Sequence, residues 1–130
     1  MSAPILITGA GQRIGLAFAL HCLRHNTPVI ATYRTHRPAV QTLEDAGARC
    51  IQADFATNAG IDAFIETLKD HATALRAIIH NASDWLPESP DSDPAEVMTA
   101  MMQIHSMTPY RLNLACRHLL EANDGAADII

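Results

Sequence analysis

Short runs of branched apolar residues alternate along this chain with longer stretches whose apolar positions recur every three or four residues, the pattern of strands alternating with amphipathic helices. Pro4-Ile5-Leu6-Ile7 is the first run and Val29-Ile30-Ala31-Thr32-Tyr33 the second. Arg49-Cys50-Ile51-Gln52-Ala53 and Ala77-Ile78-Ile79-His80 are the third and fourth, and Asp128-Ile129-Ile130 opens a fifth. Between the first two, Ile14, Ala17, Phe18, His21 and Cys22 predict a helix with that inward face, ending near His25-Asn26 with Pro28 just beyond. Pro38 opens a shorter one with Val40 and Leu43 inward and Gly47 as its stop. Asn58 begins a third, carrying Ile61, Phe64, Ile65 and Leu68 on one face. The last and longest covers residues 94–122, with Asp93 as N-cap, Pro94 at its first position and Glu96 closing an acidic capping box. Its expected inward residues are Val97, Met101, Ile104, Leu112 and Ala115, with a bend at Pro109. Strand and helix in strict alternation predict an α/β fold with parallel crossovers.

The first strand ends in Thr8-Gly9-Ala10-Gly11-Gln12-Arg13-Ile14-Gly15, a glycine-rich turn that runs straight into a helix. Glycine admits backbone dihedrals closed to other residues and lets a ligand approach without a Cβ in the way, while the free N–H groups of the new helix face an anion. Gly9 and Gly11 are expected to shape the turn, and Gly15 to let the helix lie close against the sheet. The spacing is wider than the plain dinucleotide fingerprint, since Ile14 holds the place of the third glycine and Gly15 follows it. Past the second strand comes Arg34-Thr35-His36-Arg37. A dinucleotide fold that prefers NAD places an acid about 20 residues beyond the turn for the ribose hydroxyls. Two arginines and a hydroxyl there instead suit the 2′-phosphate of NADP, which a guanidinium grips in a bidentate fork. A solvated basic loop is the alternative.

Composition removes several other classes. At 130 residues and 48% hydrophobic content the chain holds enough apolar surface for one core. A net charge of -5 without any run of lysine or arginine argues against nucleic acid as a partner. No apolar run approaches the roughly 20 residues that span a bilayer, and no signal-peptide pattern opens the chain, so a cytoplasmic protein without a membrane partner is expected. Cys22, Cys50 and Cys116 are odd in number and far apart, and predict buried or half-buried thiols rather than disulfides or a zinc site. His21 and His25 stand four apart but lack a third ligand, and no metal is expected.

The turn resembles the Thr-Gly-x-x-x-Gly-x-Gly loop of the short-chain dehydrogenase/reductase family, with Arg13 where that family usually has a further glycine. Asp54-Phe55 resembles the Asp-Leu of its adenine pocket, which implies that the carboxylate takes the exocyclic amine and the next residue packs at the ring; a loop-capping Asp54 is the alternative. Asn81-Ala82-Ser83 resembles its Asn-Asn-Ala-Gly motif, with His80 for the first asparagine and Ser83 for the glycine. That likeness implies that Asn81 braces the central sheet and Ala82 leaves room for the cofactor ribose. Arg13, Ser83 and Trp85 together look like the pteridine-reductase branch, in which the arginine and serine meet cofactor phosphate and substrate and an aromatic clamps the pterin. Trp85, the only tryptophan, offers a flat face for a bicyclic heteroaromatic, though a packing role is the common one. Aligning Pro109-Tyr110 with the family's long helix puts His105 at a proton-relay position, with a merely core-facing histidine as the alternative.

The resemblance implies a Rossmann-type doubly wound parallel sheet, present here as strands 1 to 5 of about 7. Residues 1–130 would be the N-terminal cofactor-binding portion of one domain. Tyr33 and Tyr110 are not followed by lysine four residues on, so the family's Tyr-x-x-x-Lys pair is absent and a chain about twice as long is expected. The implied cofactor is NADPH or NADP, bound by Gly9, Gly11, Arg13, Ile14, Gly15, Arg34, Thr35, Asp54, Phe55, Asn81, Ala82 and Ser83. The implied substrate is a reduced pterin, met by Arg13, Ser83 and Trp85, with dihydrofolate as a further candidate. Another NADPH-dependent reductase of a ketone or an oxoacyl thioester, and a non-catalytic NADP-binding module, are the alternatives. Assembly as a homodimer or homotetramer through the helix at 94–122 is also implied, its methionines serving as core or subunit contact.

Overall fold

A computed structural model describes residues 2–130. Five parallel strands run in the order β3-β2-β1-β4-β5: β1 (Ile5–Ile7), β2 (Val29–Tyr33), β3 (Arg49–Gln52), β4 (Ala77–Ile79) and β5 (Asp128–Ile129). Leu6 stands between Ile30 of β2 and Ile78 of β4 in register. Because successive side chains in a strand point to opposite faces, the sheet sorts its apolar residues into two cores. Leu6, Ile30, Ile51 and Ile78 face one way and pack with Ile61, Phe64 and Leu68 of α3 (Asn58–Lys69) and with Leu112, Cys116 and Leu119 of α5 (Thr108–Glu121). Ile7, Val29 and Ala31 face the other way and pack with Ala19 and Cys22 of α1 (Arg13–Arg24) and Leu43 of α2 (Pro38–Asp45). Helices cover both faces, so the sheet is doubly wound, and the chain reverses direction of travel between β1 and β4. A crevice opens at the carboxyl ends of those two strands.

Two helices depart from the expected pattern. In α1 the inward residues are Gly15, Ala19 and Cys22, with Leu16, Leu20 and Leu23 half-buried beside them. Ile14, Ala17, Phe18 and His21, expected inside, are exposed, and Ile14 is 78% accessible. The close seat of Gly15 sets the rotation of the helix, and the apolar stripe that the spacing picks out lies on the far side. The long helix is also not one uniform amphipathic rod. It comprises α4 (Pro94–Met102), a π-helical turn at Gln103–Met107, and α5. Pro109 has no N–H to donate, and the Thr108 N–H and hydroxyl both turn to the Gln103 carbonyl, the latter at 2.9 Å. The extra residue in that turn shifts the apolar register, so Ile104, Thr108, Leu112, Cys116 and Leu119 point inward. Ala115 is only half-buried, and α4 has no buried residue, with Val97 and Met101 half-buried. Asp93 does cap α4, accepting from the Ala95 N–H at 2.9 Å, but no bond from Glu96 closes a box.

Cys22 and Cys116 are buried and Cys50 half-buried, all three free. Burial pushes the Cys50 and Cys116 thiols up to about 11 and raises Cys22 as well, so all three stay protonated at neutral pH. The β3–α3 junction is tight. Thr57 caps α3 by accepting from the Gly60 N–H at 3.0 Å, and a Cβ on Gly60 would lie 1.7 Å from the Asp54 carbonyl oxygen. That oxygen is backbone and cannot swing away. Gly60→Ala is therefore expected to lower stability by about 2–3 kcal/mol, read as a fall in the urea midpoint at unchanged slope; an unchanged midpoint would refute the packing described.

Candidate functional site

The site begins with the two strand ends at the crevice. Thr8, 1% accessible, follows β1, and its hydroxyl accepts the N–H groups of both Asn81 and Ala82, at 3.1 and 3.0 Å. The Asn81 side-chain amide donates to the Gly9 carbonyl at 3.0 Å. These three bonds hold the segment after β4 against the glycine turn. Gly9 has φ +65°, and a Cβ there would meet the Ala82 Cα at 2.7 Å, so both its dihedral and its neighbour call for glycine. A Cβ on Gly15 would meet the Asn81 amide nitrogen at 2.4 Å, which is why the helix can approach this closely only at that residue. From β2 the Thr32 hydroxyl, also buried, accepts the Gly9 N–H at 3.0 Å and the Thr32 carbonyl accepts the Ala10 N–H at 2.9 Å.

The turn thereby borders a cavity of about 290 Å³ at the carboxyl ends of the strands. Gly9, Gly11, Arg13 and Ile14 line one wall, Arg34 and Thr35 a second, Asp54 and Phe55 a third, and Asn81, Ala82 and Ser83 a fourth. Arg37, the second arginine of the basic loop, also lines it, and Gln12, Thr32, Tyr33, Ala53 and Ile104, which were not among the expected site residues, complete the lining. Gly15 lies beneath the turn rather than in the wall. Trp85 is outside the wall too, its indole 77% exposed on the segment that leaves the cavity.

Three guanidiniums and one carboxylate give the cavity a positive lining within a chain of net charge -5. Helix α1 starts at this wall with first-turn N–H groups that lack intrahelical acceptors, and its N-cap Gln12 supplies no side-chain bond. By contrast α3 and α4 are capped by Thr57 and Asp93. Orphan amides, a helix N-terminus and clustered guanidiniums form the donor set that polyanionic phosphate needs. Arg13 adopts φ +53°, the left-handed region, at the place where the glycine of the family loop is replaced.

Asp54 borders the cavity while its carboxylate accepts the Ala56 N–H at 3.0 Å, so the loop-capping role is realised and the second oxygen is left for another donor. Phe55 is buried, its ring edge-on to Phe64 at 5.5 Å. On the opposite wall Ser83 and His105 meet, Oγ to Nε2 at 3.0 Å. The His105 Nδ1 lies 3.0 Å from the Met101 carbonyl, which can only accept, so in the neutral ring Nδ1 carries the proton and Nε2 takes the hydroxyl proton of Ser83. His105 is exposed rather than core-facing. His80 makes a further pair that sequence reading missed, its Nε2 2.6 Å from the Asn113 Oδ1. Asp84 was missed as well: it pairs with Arg34 at 3.0 Å. Among the described residues no three His, Cys, Asp or Glu side chains gather as a metal ligand set. Nor is any helix long and apolar enough to cross a membrane.

The sequence model of the short chain dehydrogenases matches residues 3–130. The chain belongs to that family. Among similar proteins, the dihydromonapterin reductase of Citrobacter koseri is 56% identical over 98% of this chain and 53% of its own length. That of Escherichia coli strain K12 is 54% identical over the same shares. The chain thus spans about half the length of the curated relatives it matches. Solved structures agree on the fold. The Pseudomonas aeruginosa RhlG/NADP active-site complex superposes with a TM-score of 0.81 at 21% identity, over 97% of this chain and 51% of that one. The NADPH-dependent 3-quinuclidinone reductase of Rhodotorula rubra gives 0.81 at 19% identity, over 97% and 50%. At such identities they speak for architecture alone, a Rossmann-like sheet of the short chain dehydrogenase type.

The backbone of Arg13 provides a test of the turn. A non-glycine residue in the left-handed region costs about 1–2 kcal/mol, and glycine removes that cost while adding unfolded-state entropy of about 0.5–1 kcal/mol. Arg13→Gly should therefore leave stability unchanged or raise it by up to about 1 kcal/mol, measured by chemical denaturation. A clear loss would show that the guanidinium, not the turn geometry, stabilises the free protein.

Proposed function

We propose that this chain is the cofactor-binding portion of an NADPH-dependent reductase of a reduced pterin, converting dihydromonapterin to tetrahydromonapterin and extending to dihydrofolate. The observation that carries the reading is the 54–56% identity to dihydromonapterin reductases across 98% of the chain. The donor set of the cavity supports it. Its orphan amides and Arg13 suit the pyrophosphate, and Arg34, Thr35 and Arg37 suit a 2′-phosphate. Asp54 has a free carboxylate oxygen for an exocyclic amine. NADPH, when bound, supplies the hydride.

The chain's own residues position and polarise. The Thr8, Asn81 and Gly9 bonds keep the cavity floor rigid, and Ala82 keeps it low. Ser83, whose proton is directed at His105, presents its lone pairs to the cavity, while the Ser83–His105 pair provides a route for a proton between cavity and solvent. Trp85 presents an open indole face to a bicyclic substrate, worth about 0.5–1.5 kcal/mol beyond area burial. The Tyr-x-x-x-Lys pair of the family has no counterpart in these residues, and the proton donor of the whole enzyme is assigned to chain outside them. The exposed Met98, Met102, Tyr110 and Leu114 along the outer side of α4 and α5 support self-association through that helix. Three free thiols and the bacterial relatives support a cytoplasmic location.

The decisive assay is NADPH oxidation by the whole protein with dihydromonapterin, set against an oxoacyl thioester and a simple ketone. Turnover confined to the latter two would replace the pterin reading with the general reductase one, and cofactor binding without any turnover would leave a binding module. Arg34→Asp should weaken NADPH about 10- to 100-fold, the loss of a charge-assisted bond, and NADH far less; equal loss of both would remove Arg34 from the 2′-phosphate. Trp85→Ala should raise the pterin KM about 3- to 10-fold at unchanged cofactor affinity, and an unchanged KM would take the indole out of the substrate site.

A further inference from the structure

Arg34 immediately follows β2 and Asp84 lies a few residues past β4, the two strands that flank β1. The pair joining them, Nη1 to Oδ2 at 3.0 Å, therefore passes over the carboxyl end of β1 and the glycine turn. Gln52 fixes one anchor by donating to the Arg34 carbonyl at 3.0 Å, which leaves the guanidinium alone to choose its anion. The other anchor is a short polar segment. Ser83 is held to His105, the second Asp84 oxygen accepts the Trp85 N–H at 2.9 Å, and Trp85 follows directly. The hydrogen bond from Arg34 is the main reason the Asp84 carboxyl lies below the usual range, with the Trp85 N–H and the charge of Arg34 adding to it.

We propose that Asp84 is a positioning and specificity-determining residue, the internal counter-ion that a 2′-phosphate displaces from Arg34, releasing the segment that carries Trp85. The proposal rests on the NADPH reading above and adds to it a link between cofactor and substrate sides. A phosphate monoester carries close to two charges and can take a guanidinium in a bidentate fork, whereas Asp84 holds it through one half-exposed contact. The phosphate therefore wins. Once it sits on Arg34, Asp84 has lost its cation and faces a second anion, so residues 83–85 move away from the β2 side. A nucleotide lacking the 2′-phosphate leaves the bridge closed. The carboxylate thus makes the protein respond to the phosphorylated form and lowers the affinity for that form in the free state.

Binding of 2′,5′-ADP and 5′-AMP to the intact protein tests this by calorimetry, with emission from Trp85, the only tryptophan of this sequence, as a second readout. Asp84→Asn keeps the acceptor for the Trp85 N–H and removes the charge. It should raise the ratio of 2′,5′-ADP to 5′-AMP affinity about two- to fivefold, the range of an exposed ion pair, while Asp84→Glu keeps the original ratio. In the unaltered protein 2′,5′-ADP should change the Trp85 emission and 5′-AMP should not. A ratio unmoved in Asp84→Asn, or equal emission changes with both nucleotides, overturns the role of Asp84. If 2′,5′-ADP binding is lost in Arg34→Asp yet the Asp84→Asn ratio is flat, the cofactor reading stands and this one falls. If neither nucleotide binds at all, both fall together.

Discussion

The site depends on the contact between the ends of β1 and β4. A parallel sheet brings two strand ends side by side but does not by itself specify how the chain leaves them, and each leaves with unpaired amides. Here two buried hydroxyls resolve them, that of Thr32 taking the Gly9 N–H after β1 and that of Thr8 the amides after β4. The Thr8 oxygen accepts two consecutive N–H groups from residues 81 and 82, and its own proton points at the Ile79 carbonyl at 3.4 Å. Removing that hydroxyl would strand the half-buried Ala82 N–H and leave the Asn81 N–H only the Ile79 carbonyl at 3.1 Å, at a cost of about 1–3 kcal/mol. The bond of Asn81 to Gly9 then ties the return path to the turn, and the missing Cβ atoms of Gly9 and Gly15 let backbone meet backbone. Floor, turn and helix start are thus one rigid piece.

Rigidity of this kind matters because the ligand groups implied are charged and these 130 residues are acidic. Long-range attraction of a polyanion by a chain of net charge -5 is unfavourable, so recognition has to come from short-range geometry. Backbone amides at a helix start and guanidiniums on two different segments supply it within a few ångströms. Arg13 shows how far this is taken. Its left-handed backbone belongs to the glycine that the family loop usually carries, and a long cation stands there at a conformational cost.

Most of the frame was legible because it is local. Five apolar runs, four of them closed by turn residues, gave five strands in the expected places, and the glycine turn announced itself by composition. The fully buried face of α3 followed from Ile61, Phe64 and Leu68 at helical spacing. The errors have a common cause in contacts that spacing does not encode. Ile14 and Phe18 have the right period for a core, but the rotation of α1 is set by Gly15 against Asn81, on another element. The π-helical turn before Thr108 breaks a periodicity that the expected inward face assumed to be continuous. Within the site, glycines, arginines and the Asn81-Ala82-Ser83 step could be placed by motif. Thr8 stood in the loop motif without a role and Thr32 in no motif, since a threonine in an apolar strand looks like any β-branched residue until its hydroxyl is seen to take an amide. Asp84 was out of reach for the same reason, its partner lying 50 residues away in sequence.

The fold itself explains why that last pair is possible. In the order β3-β2-β1-β4-β5, β2 and β4 are separated by one strand, roughly 10 Å, a gap that arginine and aspartate side chains can bridge only above the sheet's carboxyl edge. Any cation placed after β2 to read a nucleotide therefore stands within reach of any acid placed after β4. A site that recruits Arg34 for phosphate must either keep acids off that segment or use one. This chain has one: Asp84 meets Arg34 through one oxygen and the Trp85 N–H through the other, so the link proposed between a phosphate on Arg34 and the Trp85 segment would run through a single carboxylate.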